Sequence, residues 1–178
     1  MFSRDGHEPV PVRAVRHRGL LWAALLCFPP AACAQAEIAC VVDRVSDGDS
    51  ITCGGDRVRL LAIDAPELDQ GPFGRVAKAF LEAALPTGSR ARLELDVERR
   101  DGYGRLLAYV YREDGRMLNR MMARQGFALP YAIPPNLRHV DAIRAAADSA
   151  RAAGIGLWAL DAFDCSPADH RAGRCAGR

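Results

Sequence analysis

Apolar and polar residues change period several times along this chain, and each change marks an element. IACVVDRV (38–45) is an apolar run that stops at Ser-Asp-Gly-Asp, 46–49. Asp-Gly between two such runs is a strong hairpin signal. SITC (50–53) follows, then a second turn at Gly-Gly-Asp, then RVRLLAI (57–63), which Pro66 stops. These read as three short strands joined by tight turns. RVAKAFLEAAL (75–85) shifts to helical spacing, with Val76, Phe80 and Ala83 on one face and Pro86 and Gly88 at its end. ARLELDV (91–97) alternates, which predicts Ala91, Leu93, Leu95 and Val97 inside and Arg92, Glu94 and Asp96 outside. After a turn, RLLAYVY (105–111) is a fifth strand. MLNRMMARQG (117–126) predicts a helix with Leu118, Met121 and Met122 inward and Gly126 at its C-cap. Two prolines keep YAIPPN (131–136) extended or looped. Residues 139–154 predict a last helix, apolar at Val140, Ile143 and Ala147, and a short polar tail runs from Asp161.

The order βββ-α-ββ-α-α is α+β. It predicts a five-stranded Greek-key β-barrel of the OB type with three helices. Such barrels often bind oligonucleotides on one face, but that is fold analogy and does not itself establish function.

The N-terminus changes the picture of what is being folded. Arg13, Arg16 and Arg18 precede the short apolar run GLLWAALLCF, and Ala32 and Ala34 fit an A-x-A site before Gln35. This is the order of a secretory signal peptide over residues 1–34, with an N-terminal anchor as the alternative. The expected organisation is therefore leader 1–34, barrel domain 35–160 and tail 161–178, in a secreted or periplasmic monomer. The chain holds 24 basic and 22 acidic residues; four arginines and two acids lie in the first 34, which leaves 20 of each. A zero net charge gives no general attraction to polyanions, so any phosphate must be held by locally placed groups. Lys78 is the one lysine, so nearly all of those groups are guanidiniums, the better fork for phosphate. Of six cysteines, Cys40, Cys53, Cys165 and Cys175 follow the leader. An even number in an exported chain suggests disulfides. Three connectivities are open; Cys40 and Cys53 flank a predicted hairpin, and Cys165 and Cys175 could close a loop in the tail. Neither these cysteines nor His139 and His170 show metal-site spacing.

Polar groups at strand ends carry the candidate chemistry. Asp47 and Asp49 lie in the first turn, Arg59 within the third strand, Asp64 and Glu67 at its exit, and Arg105 at the start of the fifth. Hairpin pairing returns the exit of strand three toward Asp49, so Asp49, Asp64 and Glu67 can converge. Strict alternation puts Arg59 and Asp64 on opposite faces, and a bulge or an early strand end is needed to unite them. Once united, two aspartates and a backbone carbonyl make an oxygen site for Ca²⁺ or Mg²⁺. A further carboxylate can take a proton from water, and two guanidiniums can grip a phosphate and offset the charge of its transition state. Together these describe phosphodiester hydrolysis.

In SDGDS, VRLLAIDAPE, DGYGRLLAYVY, MLNRMMARQGFA and YAIPPN, spread from about Val41 to Trp158, the chain resembles the staphylococcal nuclease (thermonuclease) family. The resemblance implies an OB-fold, Ca²⁺-dependent nuclease acting on DNA and RNA, cutting the 5′ P–O bond to leave 3′-phosphates. It implies Asp49, Asp64 and the Ala65 carbonyl as calcium ligands, Glu67 as general base, and Arg59 and Arg105 on the phosphate. Tyr103 and Tyr131 would line the nucleotide pocket, and Asp47 would support the metal site from outside. Three departures stand out: Ala65 replaces a threonine, Gly102 a lysine and Ile133 a second pocket tyrosine. They imply weaker nucleotide binding with the catalytic set intact. The alternative is a non-catalytic nucleic-acid-binding OB module, which would be free to lose Glu67, Arg59 or Arg105; none is missing.

Overall fold

Five of the strands close on themselves. In the computed structural model, which describes residues 37–175, these are β1 (Glu37–Val45), β2 (Ser50–Cys53), β3 (Asp56–Leu60), β5 (Arg90–Arg100) and β6 (Leu106–Arg112). They form a closed barrel in the order β1-β2-β3-β6-β5. β4 (Ile63–Asp64) and β7 (Leu129–Pro130) make a separate two-stranded ladder. Three neighbours pair antiparallel through short connections, and β5 returns to pair with β1. β3 and β6 lie parallel, with Arg59 opposite Leu107. The five-stranded barrel is as expected. The run 57–63 is not one strand, however: it breaks at Leu61–Ala62 into β3 and β4.

Four helices complete the described residues: α1 (Phe73–Ala84), α2 (Leu118–Arg124), α3 (Val140–Ala152) and the short α4 (Pro167–Arg171), with a 3-10 turn at Gly156–Leu160. α2 and α3 bury the residues expected of them, Leu118 and Met122 on one and Val140, Ile143 and Ala147 on the other. Met121 is half-buried. Gln125 is the C-cap of α2, and Gly126 follows it in the left-handed conformation that ends helices. α4 lies in the stretch read as plain tail. Among the described residues no helix is long and apolar enough to cross a membrane. The leader reading falls outside the described residues, and those residues belong to one unit spanning Ala34–Arg178.

Two inward faces differ from expectation. α1 buries Gly74, Ala77, Leu81 and Ala84, while Val76 and Ala83 face out and Phe80 is half-buried. Small residues win that face because backbones approach across it: a β-carbon on Gly74 would sit 1.9 Å from the Glu67 carbonyl oxygen. On β5, Val97 is 69% exposed and Glu94 only 5%. The β5–β6 register shifts between Leu95 and Arg100, so Val97 lies where the ladder comes apart. Glu94 is tolerated inside because the Tyr111 hydroxyl donates to it at 2.6 Å and Arg138 at 2.8 Å, with His139 at 3.1 Å. Burial alone would raise its pKa; these partners outweigh burial and pull it down to about 2.

Asn119, fully buried on α2, ties helix to barrel. Its amide donates to the carbonyls of Leu61 at 2.8 Å and Ala108 at 3.2 Å, and its oxygen accepts from Val110 N–H at 2.8 Å. The described residues also hold the disulfides Cys40–Cys53, across the β1–β2 hairpin, and Cys165–Cys175, across α4.

Two stability measurements follow from these contacts. Asn119→Ala strands buried backbone groups and should cost about 2–3 kcal/mol in urea unfolding. Glu94 has a folded-state pKa below its unfolded one. Its stabilisation is therefore complete above the unfolded value and is lost as pH falls toward about 2. Between those limits wild type should lose stability more steeply than Glu94→Gln; parallel curves would contradict the assignment.

Candidate active site

Alternation along β3 places Arg59 and Asp64 on opposite faces, yet Arg59 Nη2 lies 3.3 Å from Asp64 Oδ1. Ala62 is the cause. Its φ is +63°, a left-handed conformation uncommon in residues with a β-carbon. One such residue between β3 and β4 turns the chain and moves Asp64 to Arg59's side. The kink is pinned from both directions: Asn119 holds the Leu61 carbonyl, and Tyr131 N–H donates to the Ala62 carbonyl at 3.0 Å.

Arg59 is buried and spans two carboxylates. Its Nη1 is 3.1 Å from Asp49 Oδ2, and the same nitrogen donates to the Leu60 carbonyl at 2.8 Å. Asp49 also accepts from Ala65 N–H at 2.9 Å and from the Ser50 hydroxyl at 3.1 Å. Its own N–H donates to Asp47 Oδ1 at 3.0 Å, which fixes the turn. Gly48 is required there: a β-carbon would lie 2.6 Å from Ala65 Cβ and 2.9 Å from Ala77 Cβ. Turn, strand exit and α1 therefore meet at one glycine. Burial pushes the Asp49 carboxyl up to about 7, with Arg59 opposing and the charges of Asp47 and Asp64 adding to the rise.

Glu67 is set by its loop. Gly74 packs against its carbonyl, and its N–H donates to Gln70 Oε1 at 3.3 Å. An open cleft of about 590 Å³ has Asp47, Asp49, Arg59, Glu67, Tyr103, Arg105 and Tyr131 in its wall. Asp64 lies just beneath, reached through Arg59. Arg105 is held by Asp101, with Nε at 2.7 Å and a second bond from its backbone N–H at 3.0 Å. Against the cost of burial, these bonds keep the Asp101 carboxyl low. Tyr103, 81% exposed, and Tyr131, 43% exposed, stand at the rim, and the Arg105 guanidinium lies 5.6 Å over the Tyr103 ring. Gly102 and Ile133 also line the cleft, so two of the three departures fall on its wall; Ala65 is buried beside Asp49.

The structure thus brings eight of the nine residues named from the sequence to one cleft and its floor; Ala65 takes part through its backbone. Sequence reasoning missed three others. Asn119 and Gln70 act through buried amides. Arg171, on α4, lines the same cleft and donates to Asp64 and Glu67. Its hydrogen bond to Asp64 raises its already high pKa further. Lone polar residues in a loop or tail carry no pattern to find them by.

A divalent cation fits this floor in chemistry if not in ligand number. Asp49 and Asp64 supply oxygen donors only, which suits a hard ion such as Ca²⁺. One guanidinium reaches both, so the two carboxylates are neighbours. Among the described residues no three His, Cys, Asp or Glu side chains group as a metal site, so backbone oxygen and water would complete the shell.

Residues 57–160 match the family of staphylococcal nuclease homologues. A thermonuclease of Staphylococcus intermedius is 38% identical over 127 residues, 66% of this chain and 74% of its own length. An uncharacterized endonuclease of Haemophilus influenzae is 34% identical over 151 residues, 82% of this chain and 80% of its own. Endonuclease YhcR of Bacillus subtilis is 32% identical over 147 residues, 73% of this chain but 12% of its own length. A barrel with this cleft, matched over more than half its length, belongs to the staphylococcal nuclease homologue family, and the chain is a hydrolytic nuclease.

Proposed function

We propose that the protein is an exported, Ca²⁺-dependent nuclease that hydrolyses phosphodiester bonds of DNA and RNA. The observation that carries this reading is Arg59, a buried guanidinium that holds Asp49 and Asp64 together beneath a cleft shared with Glu67 and Arg105. In the proposed site Asp49, Asp64 and the Ala65 carbonyl hold the cation, and Asp47 steadies Asp49. A bound cation would neutralise charge on the scissile phosphate. Glu67 orients a water molecule and takes its proton as the oxygen attacks phosphorus; the 5′ P–O bond breaks, the phosphate stays on the 3′ oxygen, and the departing 5′ oxygen takes a proton from solvent. Arg59 and Arg105 donate to the phosphate oxygens as charge builds on them, Arg105 turning from Asp101 to do so. Tyr103 and Tyr131 stack or flank the bases, which every nucleotide offers alike. The basic-apolar-small leader and the two disulfides support export, with the mature chain beginning near Gln35.

Purified mature protein should degrade single-stranded DNA with Ca²⁺ and stop when chelator is added; equal rates in both would remove the cation from the reading. Glu67→Gln and Arg105→Ala should each lower the rate by at least about 10² while the circular dichroism spectrum is retained. Wild-type rates in both variants would defeat the residue assignment.

A further inference from the structure

Arg171 lies beyond the residues that match the family, on a five-residue helix of the tail. Its guanidinium nonetheless reaches into the cleft, through both of its terminal nitrogens. Nη1 donates to Asp64 Oδ1 at 3.0 Å and to Glu67 Oε1 at 2.7 Å, and Nη2 donates to Asp64 Oδ2 at 2.9 Å. Both oxygens of Asp64 therefore face a guanidinium, since Arg59 also reaches Oδ1. The same arginine that caps a cation ligand also caps the candidate base.

The tail is built to deliver this group. Cys165 and Cys175 close a loop with α4 inside it. The Ser166 hydroxyl caps α4 by accepting from Asp169 N–H at 3.1 Å. Gln70, buried on the loop that carries Glu67, donates to the Cys165 carbonyl at 2.7 Å. His170 meets Asp69 at 3.0 Å. The anchors sit on the same segment as Glu67, so the tail loop is tied directly to the segment that carries the candidate base.

A guanidinium and a divalent cation make the same demand on Asp64. They need its lone pairs and its negative charge, and their like charges repel at short range. We propose that Arg171 is a tethered counter-cation that competes with the divalent metal for Asp64 and Glu67, held in place by the Cys165–Cys175 loop. A phosphate in the cleft would offer Arg171 a second, doubly forked partner. Substrate and metal then bind cooperatively: the phosphate draws Arg171 off and frees Asp64 and Glu67. This inference rests on the proposed metal site.

The test is Ca²⁺ titration by calorimetry, without nucleic acid, on mature wild type, Arg171→Ala, Arg171→Lys and the double variant Cys165→Ser/Cys175→Ser. Circular dichroism confirms each fold. Removing the charge in Arg171→Ala should tighten the Kd by on the order of tenfold, with Arg171→Lys closer to wild type. The double cysteine variant should also bind more tightly than wild type, and adding Arg171→Ala to it should gain little more. A Kd in Arg171→Ala equal to or weaker than that of wild type overturns the competition, because Arg171 then merely supports the carboxylates or serves substrate phosphate. If neither wild type nor any variant binds Ca²⁺, the metal site itself fails and the inference with it.

Discussion

A charge held under a barrel must be neutralised where it lies, and the ion pair of Arg59 with Asp49 and Asp64 does this for the candidate site. Burying an ion pair gains little net stability, because desolvation offsets the attraction. Removing one member is costly, because the survivors stay buried without a partner. The three side chains therefore specify one another. They also fix strand geometry: Arg59 sits on β3 and Asp64 on β4, and the pair forms only if Ala62 takes its left-handed turn. A local backbone cost is carried by an electrostatic contact and by two backbone carbonyls with partners on α2 and at Tyr131.

Close approach does the remaining positioning. Gly48 lets the Asp47–Asp49 turn touch Ala65 and Ala77, and Gly74 lets α1 touch the carbonyl of Glu67. Two glycines on different elements thus set the spacing between the acids of the turn and the acid of the loop. In the proposed chemistry a displacement of one ångström matters greatly. Small side chains, which contribute little to burial, here control the geometry of larger ones.

Most of the barrel was legible in the sequence because hairpin turns and alternation are local signals. The three-strand meander, the disulfide-flanked β1–β2 hairpin and the inward residues of α3 could all be read from neighbours within a few positions. Four things could not. The inward face of α1 is decided by how near another backbone comes, and a hydrophobic count favours Val76 and Phe80 over Gly74 and Ala77. Glu94 looked external by parity, but its burial depends on Arg138 and His139, more than forty residues away. The parity conflict of Arg59 and Asp64 was visible as a conflict, whereas its resolution at Ala62 was not, since alanine carries no sign of a positive φ. Arg171 had no local signal: one arginine in a polar tail becomes informative only when the fold sets it against Asp64.

The parallel pairing of β3 with β6 has a further consequence for how such a protein is made. Arg59 enters the cleft from β3 and Arg105 from the turn just before β6, with β4, the loop, α1 and β5 between them in the chain, and Arg171 arrives from the far end of the chain. No short segment holds the whole site. Contacts of this separation are costly in chain entropy and form late in folding. On the proposed export route, a chain still being synthesised carries the acids, the base and the arginines as unconnected parts. The cleft is assembled only when the barrel closes and brings these segments together.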